Sequence, residues 1–238
     1  MLTLFFVDDL PTTVGALYEF QNEDALHAVR VLRTNVGDVF NLSDRNGAWS
    51  KVVVREAAKK SLRVEVLESG FEEPLAQTFT VIQAIPKGDR IKESIEMCTE
   101  GGADRIVLWK SARSIGKSED KIEKLQITAR EASKQSRRFR IPEVIGVAAT
   151  HDVIDQIAQS DVAIVFHESA TMKVSQILAP GCKKVAIIIG PEGGLTDEEI
   201  DTFAAAGAKV ALLGRPVLRS AHAGLAALSA VNTALSVW

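Results

Sequence analysis

Residues 184–200 read KVAIIIGPEGGLTDEEI, and this stretch predicts a buried strand, a glycine-rich loop and a helix in immediate succession. The apolar run 185–189 has no polar alternation, which is typical of a strand in a parallel sheet that is covered on both faces. Thr196 and Glu199 have the spacing of a capping box, so a helix is expected to begin at Asp197. In parallel sheets ligands bind beyond the carboxyl ends of the strands, which makes this loop the first candidate for a site.

The composition of the loop argues against a phosphate ligand. Its glycines have neither GxxxxGK[ST] nor GxGxxG spacing, and no lysine is present. The helix that follows starts with three acidic residues, which together with Glu192 would repel a phosphate. The glycines can instead let backbone groups approach a flat or neutral ligand, so adenine, ribose and a positive charge fit better than a triphosphate. The alternative is a tight turn that needs positive φ and binds nothing.

Outward from this stretch, strands and helices alternate from residue 77 to the end of the chain. Strands are predicted at 79–84, 105–109, 144–148, 162–166, 185–189 and 210–213, and helices at 90–99, 120–136, 153–159, 197–205 and 221–237. This alternation predicts an α/β domain over residues 75–238, with a parallel sheet between two layers of helices.

The first 72 residues have a different pattern of predicted secondary structure, which consists mainly of short strands. Short apolar runs at 3–7, 39–42, 49–54 and 62–67 are separated by turn residues, and Asn46-Gly47 is a good hairpin signal. One helix is predicted at 23–32. These features predict a small β-barrel over residues 1–72, followed by a linker at Glu72-Glu73-Pro74.

A second loop repeats the pattern of strand, glycine and helix at residues 212–228, which read LLGRPVLRSAHAGLAAL. Two such loops at neighbouring strand ends could face each other across one ligand. The helix after Arg219 is rich in Ala and Gly, which predicts close packing against the sheet or against a partner subunit.

The bulk composition is that of a globular protein with uneven charge. The net charge is −3, yet residues 110–140 hold ten Lys or Arg and four Asp or Glu. Cys98 and Cys182 are expected to be buried free thiols, and the scattered histidines imply no metal site. The start of the chain lacks a basic signal region and no apolar run reaches about 18 residues, so we expect a cytoplasmic protein without a membrane segment.

Part of the basic segment predicts a phosphate-binding surface. Arg130, Lys134, Arg137 and Arg138 fall at i, i+4, i+7 and i+8, which places them on one face of a helix. A solvated helix face is the alternative, but Glu131 is the only acid nearby. The stripe therefore favours contacts with nucleic-acid phosphates.

Taken together, IIIGPEGGLTDEEI, LLGRPVLR, EASKQSRRFRIPEV and HAVRVLRTNVGD resemble the RsmE family of ribosomal RNA small subunit methyltransferases. The resemblance runs from the first strand to the last helix. It implies S-adenosylmethionine-dependent methylation of a uridine of 16S rRNA at N3, on free RNA or the small ribosomal subunit. It also implies a PUA-like N-terminal β-barrel, a trefoil-knotted SPOUT methyltransferase domain and a homodimer. A rival interpretation is a non-catalytic RNA-binding protein whose α/β domain binds another nucleotide.

The resemblance also implies roles for individual residues. The cofactor-binding residues are then Phe166, His167, Glu168, Gly190, Glu192, Gly193, Gly194, Leu213, Gly214, Leu218 and Arg219. The predicted RNA-binding residues are Arg33, Arg113, Arg130, Lys134, Gln135, Arg137 and Arg138, of which Arg113, Gln135 and Arg138 match the middle motif where the family binds RNA. Arg219 is the candidate catalytic residue, because a cation can stabilise the charge that develops on the base as N3 loses its proton. Glu131 and His222 are candidate proton acceptors.

Three positions depart from the family pattern. Lys124-Leu125 stands where the family often has Arg-Trp, and Glu100-Gly101-Gly102 stands where it usually has Glu-Leu-Gly. Ala221-His222 replaces a common Glu-Thr, which puts in doubt any role for a carboxylate there.

Overall fold

The computed structural model of the chain describes residues 2–115, 122–179 and 181–238, which divide into two compact units. One unit consists of Met1–Pro74 and Ser133–Ile141, and the other of Leu75–Ala132 and Pro142–Trp238. The short segment Ser133–Ile141 thus groups with the N-terminal residues, whereas the sequence places it in the C-terminal domain. The basic residues Lys117 and Lys121 lie outside the described residues.

The first unit is a five-stranded sheet with one helix. Its elements are β1 (Leu4–Phe6), β2 (Leu17–Phe20), α1 (Glu23–Arg30), β3 (Val39–Ser43), β4 (Ala48–Ala57) and β5 (Leu62–Phe71). The strand order is β1-β3-β4-β5-β2, in which only β1 and β3 run parallel. The sequence missed β2, because only Phe20 of its four residues is buried and the strand has no apolar run.

Aromatic packing and a capped helix hold this unit together. The rings of Phe5 and Phe40 meet edge to face with centroids 5.1 Å apart, and Phe20 packs against both. Asn22 caps α1 by accepting a hydrogen bond from the Ala25 amide at 3.0 Å, which satisfies one of the helix's first N–H groups.

The second unit contains a six-stranded parallel sheet, as predicted. Its elements are β6 (Thr78–Ala84), α2 (Arg90–Glu100), β7 (Arg105–Trp109), α3 (Ile122–Ser136, whose last residues belong to the first unit), β8 (Glu143–Ala148), α4 (Thr150–Ala158), β9 (Val162–Phe166), β10 (Lys184–Ile189), α5 (Asp197–Ala205), β11 (Lys209–Ala211) and α6 (Ser220–Ala234). The order β11-β9-β10-β6-β7-β8 places β10 in the interior of the sheet. The predicted helix 120–136 has its first two positions outside the described residues. The strand predicted at 210–213 ends early, because Leu212 instead donates to the carbonyl of Met172.

The two faces of this sheet are covered by different helices. Trp109 and Phe203 meet edge to face at 5.2 Å in the core beneath α4 and α5, an arrangement that stabilises the fold by about 1 kcal/mol beyond burial. On the other face α6 packs against α2, and a Cβ at Gly224 would collide with the sulfur of Cys98. The small residues of α6 therefore serve packing within the chain.

The two cysteines are free, but only one is fully buried. Burial raises the pKa of the Cys98 thiol to about 12, and a hydrogen bond with Ser94 opposes this shift without cancelling it. Cys182 is partly exposed, so the prediction of two buried thiols holds for Cys98 alone. None of the described helices combines the length and apolarity needed to cross a membrane.

Candidate functional site

A cleft lies where β9, β10 and β11 end, at three neighbouring carboxyl ends of the parallel sheet. Its cavity volume is about 450 Å³, and a smaller pocket of about 90 Å³ adjoins it. Between them these cavities are lined by all eleven residues predicted to bind the cofactor, Phe166, His167, Glu168, Gly190, Glu192, Gly193, Gly194, Leu213, Gly214, Leu218 and Arg219. The structure thus brings together three segments that are well separated in the sequence.

The first wall of the cleft is the loop 190–194, which is held in place by the side chain of Arg113. Arg113 donates from Nη1 to the carbonyl of Gly193 at 2.8 Å and to that of Leu195 at 3.3 Å. Gly194 has φ +71°, a left-handed conformation that favours glycine. The loop was predicted to need glycines for either a turn or a ligand, and the structure shows that Gly194 at least is needed for the turn.

The helix after this loop begins with the predicted capping box. Thr196 Oγ1 accepts from the Glu199 amide at 3.1 Å, and Glu199 Oε2 accepts from the Thr196 amide at 2.9 Å. The other carboxylate oxygen of Glu199 accepts from the amide of Ala112 at 2.7 Å. This buried carboxylate therefore links the start of α5 to the loop after β7, a contact that the capping spacing did not predict.

Glu192 ties the same loop to the segment that precedes α2. Its carboxylate accepts from Arg90 Nη1 at 3.0 Å and from the amide of Lys87 at 3.1 Å. Desolvation raises the pKa of Glu192, but hydrogen bonds to the loop backbone, Arg90 and Lys87 outweigh it and hold the pKa below its ordinary value. Glu192 therefore acts as a tether between the glycine-rich loop and the segment that leads into α2.

This tether predicts a pH-dependent contribution to stability. Because the folded pKa of Glu192 is lowered, its contribution is fully present above the unfolded pKa and is lost as the pH falls through the folded pKa. We expect Glu192→Gln to lower the free energy of unfolding by about 0.5–1 kcal/mol at pH 7, a small value because the pair is partly exposed. The difference from the parent should shrink below about pH 4.

Denaturant unfolding at several pH values measures this difference. Glu73→Gln, which neutralises an exposed glutamate in the linker, is the control and should show no such trend. A gap between Glu192→Gln and the parent that is unchanged at low pH would contradict the tether.

The second wall is the loop that leads into α6. Leu213, Gly214 and Leu218 line it, and Arg219 is the residue that precedes the helix. The Arg219 side chain is exposed, and no described residue forms a hydrogen bond or ion pair with its guanidinium. The adjacent Ser220 is buried, and its hydroxyl donates to the carbonyl of Gly190 at 2.7 Å. The second wall thus carries the Arg219 cation, and the hydrogen bond from Ser220 to Gly190 joins it directly to the first wall.

The third wall follows β9 and mixes apolar and polar groups. Phe166 and His167 are half-buried, and Glu168 is exposed. His167 shares a hydrogen bond of 2.8 Å between Nδ1 and the hydroxyl of Ser169, which fixes the orientation of its ring. The cleft therefore offers an apolar surface with a carboxylate beside it, the groups that a cationic nucleoside would contact.

Neither predicted proton acceptor lines the cleft. Glu131 lies on α3 and is exposed, and His222 lies on α6 with its Nε2 3.0 Å from an oxygen of Glu93. Ala221 is buried, so the departure from the family pattern at this position leaves an apolar contact in place of a carboxylate.

The predicted basic stripe is wrong at its C-terminal end. α3 ends at Ser136, so Arg137 and Arg138 do not continue the helical face on which they were expected. Arg137 has φ +59°, and its amide donates to the carbonyl of Lys134 while the Arg138 amide donates to that of Ser133. These two bonds form a Schellman cap, with arginine at the left-handed position where glycine is usual. Periodicity alone could not show where the helix stops.

The other predicted RNA-binding residues have different environments. Lys134 forms an ion pair of 2.6 Å with Asp24, and the two side chains are only 11% and 6% exposed, so we correct the expectation that its ammonium is presented to phosphate. Arg33 is exposed, with φ +54° just after α1, and Gln135 is exposed near the end of α3. Arg130 is half-buried, and Arg113 lines the cleft and holds its first loop.

Sequence reasoning missed several residues that shape the cleft. These are Ile189, Pro191, Leu195, Leu212, Pro216, Val217, Ser220 and Ala223. Most are apolar neighbours of predicted residues and could have been found by extending each loop. Ser220 is different, because its role depends on a contact with Gly190 that no local pattern reveals.

Comparison with known proteins assigns both parts of the chain. Residues 72–232 match an RNA methyltransferase domain family, and residues 20–67 match an RNA methyltransferase PUA domain family. The ribosomal RNA small subunit methyltransferase E of Mycobacterium bovis is 36% identical over 244 residues, covering 99% of this chain and 93% of the relative. The protein of the same name from Bacillus subtilis is 28% identical, covering 97% and 93%.

Solved structures share the same fold. A ribosomal RNA small subunit methyltransferase E from Neisseria gonorrhoeae, bound to S-adenosyl methionine, superposes with a TM-score of 0.87 at 23% identity and 98% coverage of both chains. A probable rRNA-methyltransferase from Porphyromonas gingivalis superposes with a TM-score of 0.81 at 27% identity and 99% coverage of both.

Proposed function

Since this chain belongs to the ribosomal RNA small subunit methyltransferase E family, we propose that it methylates N3 of a uridine in 16S rRNA with S-adenosylmethionine as the methyl donor. The observation that carries this proposal is the cleft itself. Three loops that follow neighbouring parallel strands surround it, and all eleven residues that the family resemblance marks for the cofactor line it. Its location at the carboxyl ends of the strands is where such sheets bind ligands.

The residues of the cleft fit S-adenosylmethionine. The volume of about 450 Å³ is in the range of small-molecule sites. A Cβ added at Gly190 would lie 3.1 Å from Leu195, and one added at Gly193 would lie 3.3 Å from Arg113, so larger residues would displace these neighbours. Phe166 and Leu218 supply apolar surface for an adenine, and Glu168 supplies a carboxylate for a positive charge. When bound, the cofactor supplies an activated methyl group on its sulfonium.

The protein's own contribution to the reaction is to orient the base and stabilise its charge. N3 of uridine becomes nucleophilic only after its proton leaves, which places negative charge on O2 and O4. Arg219 stands at the cleft with a guanidinium that no described residue engages, so it is available to donate to such an oxygen. We assign the proton to neither Glu131 nor His222, because neither lines the cleft.

We further propose that the PUA-like domain binds the RNA substrate together with the exposed residues Arg33 and Arg137 and the half-buried Arg138. Cations on this domain favour contacts with phosphates. The β-barrel closure, the trefoil knot in the C-terminal domain, the homodimer and the cytoplasmic location are proposed on the family resemblance. Sedimentation of the purified chain tests the dimer.

Two assays test the proposed reaction against the rival, a non-catalytic protein that binds another nucleotide. Calorimetric titration with S-adenosylmethionine is expected to show one site per chain, and titration with ATP is expected to show none. Incubation with methyl-labelled S-adenosylmethionine and small-subunit RNA or particles should then place the label on N3 of one uridine. Binding of ATP without S-adenosylmethionine would favour the rival.

A further inference from the structure

The first turns of α2 contact the first loop of the cleft and the start of α6, the helix that follows the second loop. Arg90 binds Glu192 of the first loop at 3.0 Å, and Glu93 binds His222, just after the second loop, at 3.0 Å. Ser94, the residue after Glu93, begins a chain of hydrogen bonds that runs through the protein interior.

This buried chain links four elements in sequence. The Ser94 hydroxyl donates to Oε1 of Gln83 at 2.9 Å, and Nε2 of Gln83 donates to the Ser220 hydroxyl at 2.9 Å. Ser220 then donates to the carbonyl of Gly190 at 2.7 Å. Gln83 and Ser94 are fully buried, and Ser220 is 6% exposed. Each member donates to the next, so the chain has one direction and ends on the first loop.

The amide of Gln83 is fixed in one orientation by its partners. Its carbonyl oxygen accepts from Ser94, and its Nε2 also donates to the backbone carbonyl of Ala84 at 2.9 Å. Gln83 lies beside Ile189 in the parallel register of β6 and β10, at the point where β10 ends and the first loop begins. An amide locked at this place holds Ser220 in a defined position relative to Gly190.

The topology explains why such a link is needed. The first loop follows β10 and the second follows β11, and β9 lies between these two strands in the sheet. Among the described strands, no ladder of backbone hydrogen bonds therefore fixes one loop against the other. Ser220, the residue after Arg219, instead donates directly to Gly190 of the first loop, and Gln83 holds Ser220 in place.

We propose that Gln83 and Ser94 are positioning residues that set the distance between the two cofactor loops and the placement of Arg219. This inference rests on the proposed function, because it assumes that both loops contact one S-adenosylmethionine. The competing explanation is that the chain only satisfies polar groups in the core. In that case its loss would reduce folding stability without changing the affinity of the folded protein.

Ser94→Ala and Gln83→Met are the test variants. The first removes one hydroxyl that lies outside the cleft, and the second replaces the amide by an apolar side chain of similar length. Calorimetry well below the melting temperature should give an S-adenosylmethionine Kd about tenfold weaker than the parent's, the loss expected for one or two hydrogen bonds. The stoichiometry should stay at that of the parent, because the molecules still fold.

Thr99→Val is the matched control, since it removes another buried hydroxyl from the same helix without touching the chain. A double-mutant cycle combines Ser94→Ala with Ser220→Ala. The double variant should lose little more affinity for S-adenosylmethionine than either single variant, because both substitutions interrupt the same chain of hydrogen bonds. The positioning role would be overturned if Ser94→Ala and Gln83→Met keep the parent's Kd. It would also be overturned if they only bind with a lower stoichiometry or melt at a lower temperature. Additive losses in the cycle would overturn it as well. A parent protein that fails to bind S-adenosylmethionine would instead overturn the proposed function, and this inference with it.

Discussion

Arg219→Ala is expected to reduce methyl transfer by about 10²–10³-fold, the loss typical of removing one donor to a developing negative charge. The affinity for S-adenosylmethionine should change by less than about threefold, because the glycine loop and the apolar walls remain. The physical reason is that Arg219 is an exposed cation at the cleft whose guanidinium no described residue engages. A guanidinium that no described residue engages is available to donate to the base in the transition state.

Single-turnover transfer to small-subunit RNA at saturating cofactor measures the effect, with calorimetry on the same preparation. Arg215→Ala is the matched control, since Arg215 is another exposed arginine in the same loop. Arg219→Lys should restore only part of the rate, because an ammonium keeps the charge but loses the planar fork of donors. Parent-like turnover of Arg219→Ala would remove Arg219 from the mechanism.

The sequence predicts the sheet well because its signals there are local. The strands 105–109 and 162–166 and the helix 197–205 have the predicted bounds, and the other strands of this sheet begin one residue before prediction, although β11 ends two residues early. A buried parallel strand is an unbroken apolar run, and a capping box marks a helix start. The loops of the cleft follow from the same logic, since each comes directly after such a strand.

The remaining features depend on contacts between residues far apart in the chain. In the sequence Glu192 is an acid in a glycine loop with no evident partner, but the fold pairs it with Arg90. Lys134 likewise forms an ion pair with Asp24, which is far from it in the chain. Gln83 looks like one polar residue in a strand, yet it connects Ser94 to Ser220. Patterns of 2 or 3.6 residues carry no information about such pairs, which explains why the contacts of Glu192, Lys134 and Gln83 could not be predicted although most of the elements that carry them could.

Reversing Arg137 and Arg138 to glutamate is expected to weaken binding of small-subunit RNA by at least about tenfold at low salt. The plot of log affinity against log salt should also become shallower, by about 0.7 for every phosphate that the variant no longer binds. Filter binding between about 50 and 200 mM salt measures both quantities. Arg137 is also the left-handed residue of the cap that ends α3, so the reversal changes both the charge and the cap. A loss of binding could then reflect a damaged cap.

Arg137→Gly separates charge from conformation. Glycine adopts the left-handed conformation without the cost of about 1–2 kcal/mol that a residue with a Cβ bears, so the cap is kept or strengthened while the cation is removed. If the cation binds phosphate, this variant should also weaken RNA binding and reduce the salt slope. Its stability should stay near the parent's, because the relief at the cap offsets the lost hydrogen bond from Arg137 Nε to the carbonyl of Leu2. If only the cap matters, it should bind like the parent. An unchanged salt slope in both the reversal and the glycine variant would exclude this segment from the RNA interface.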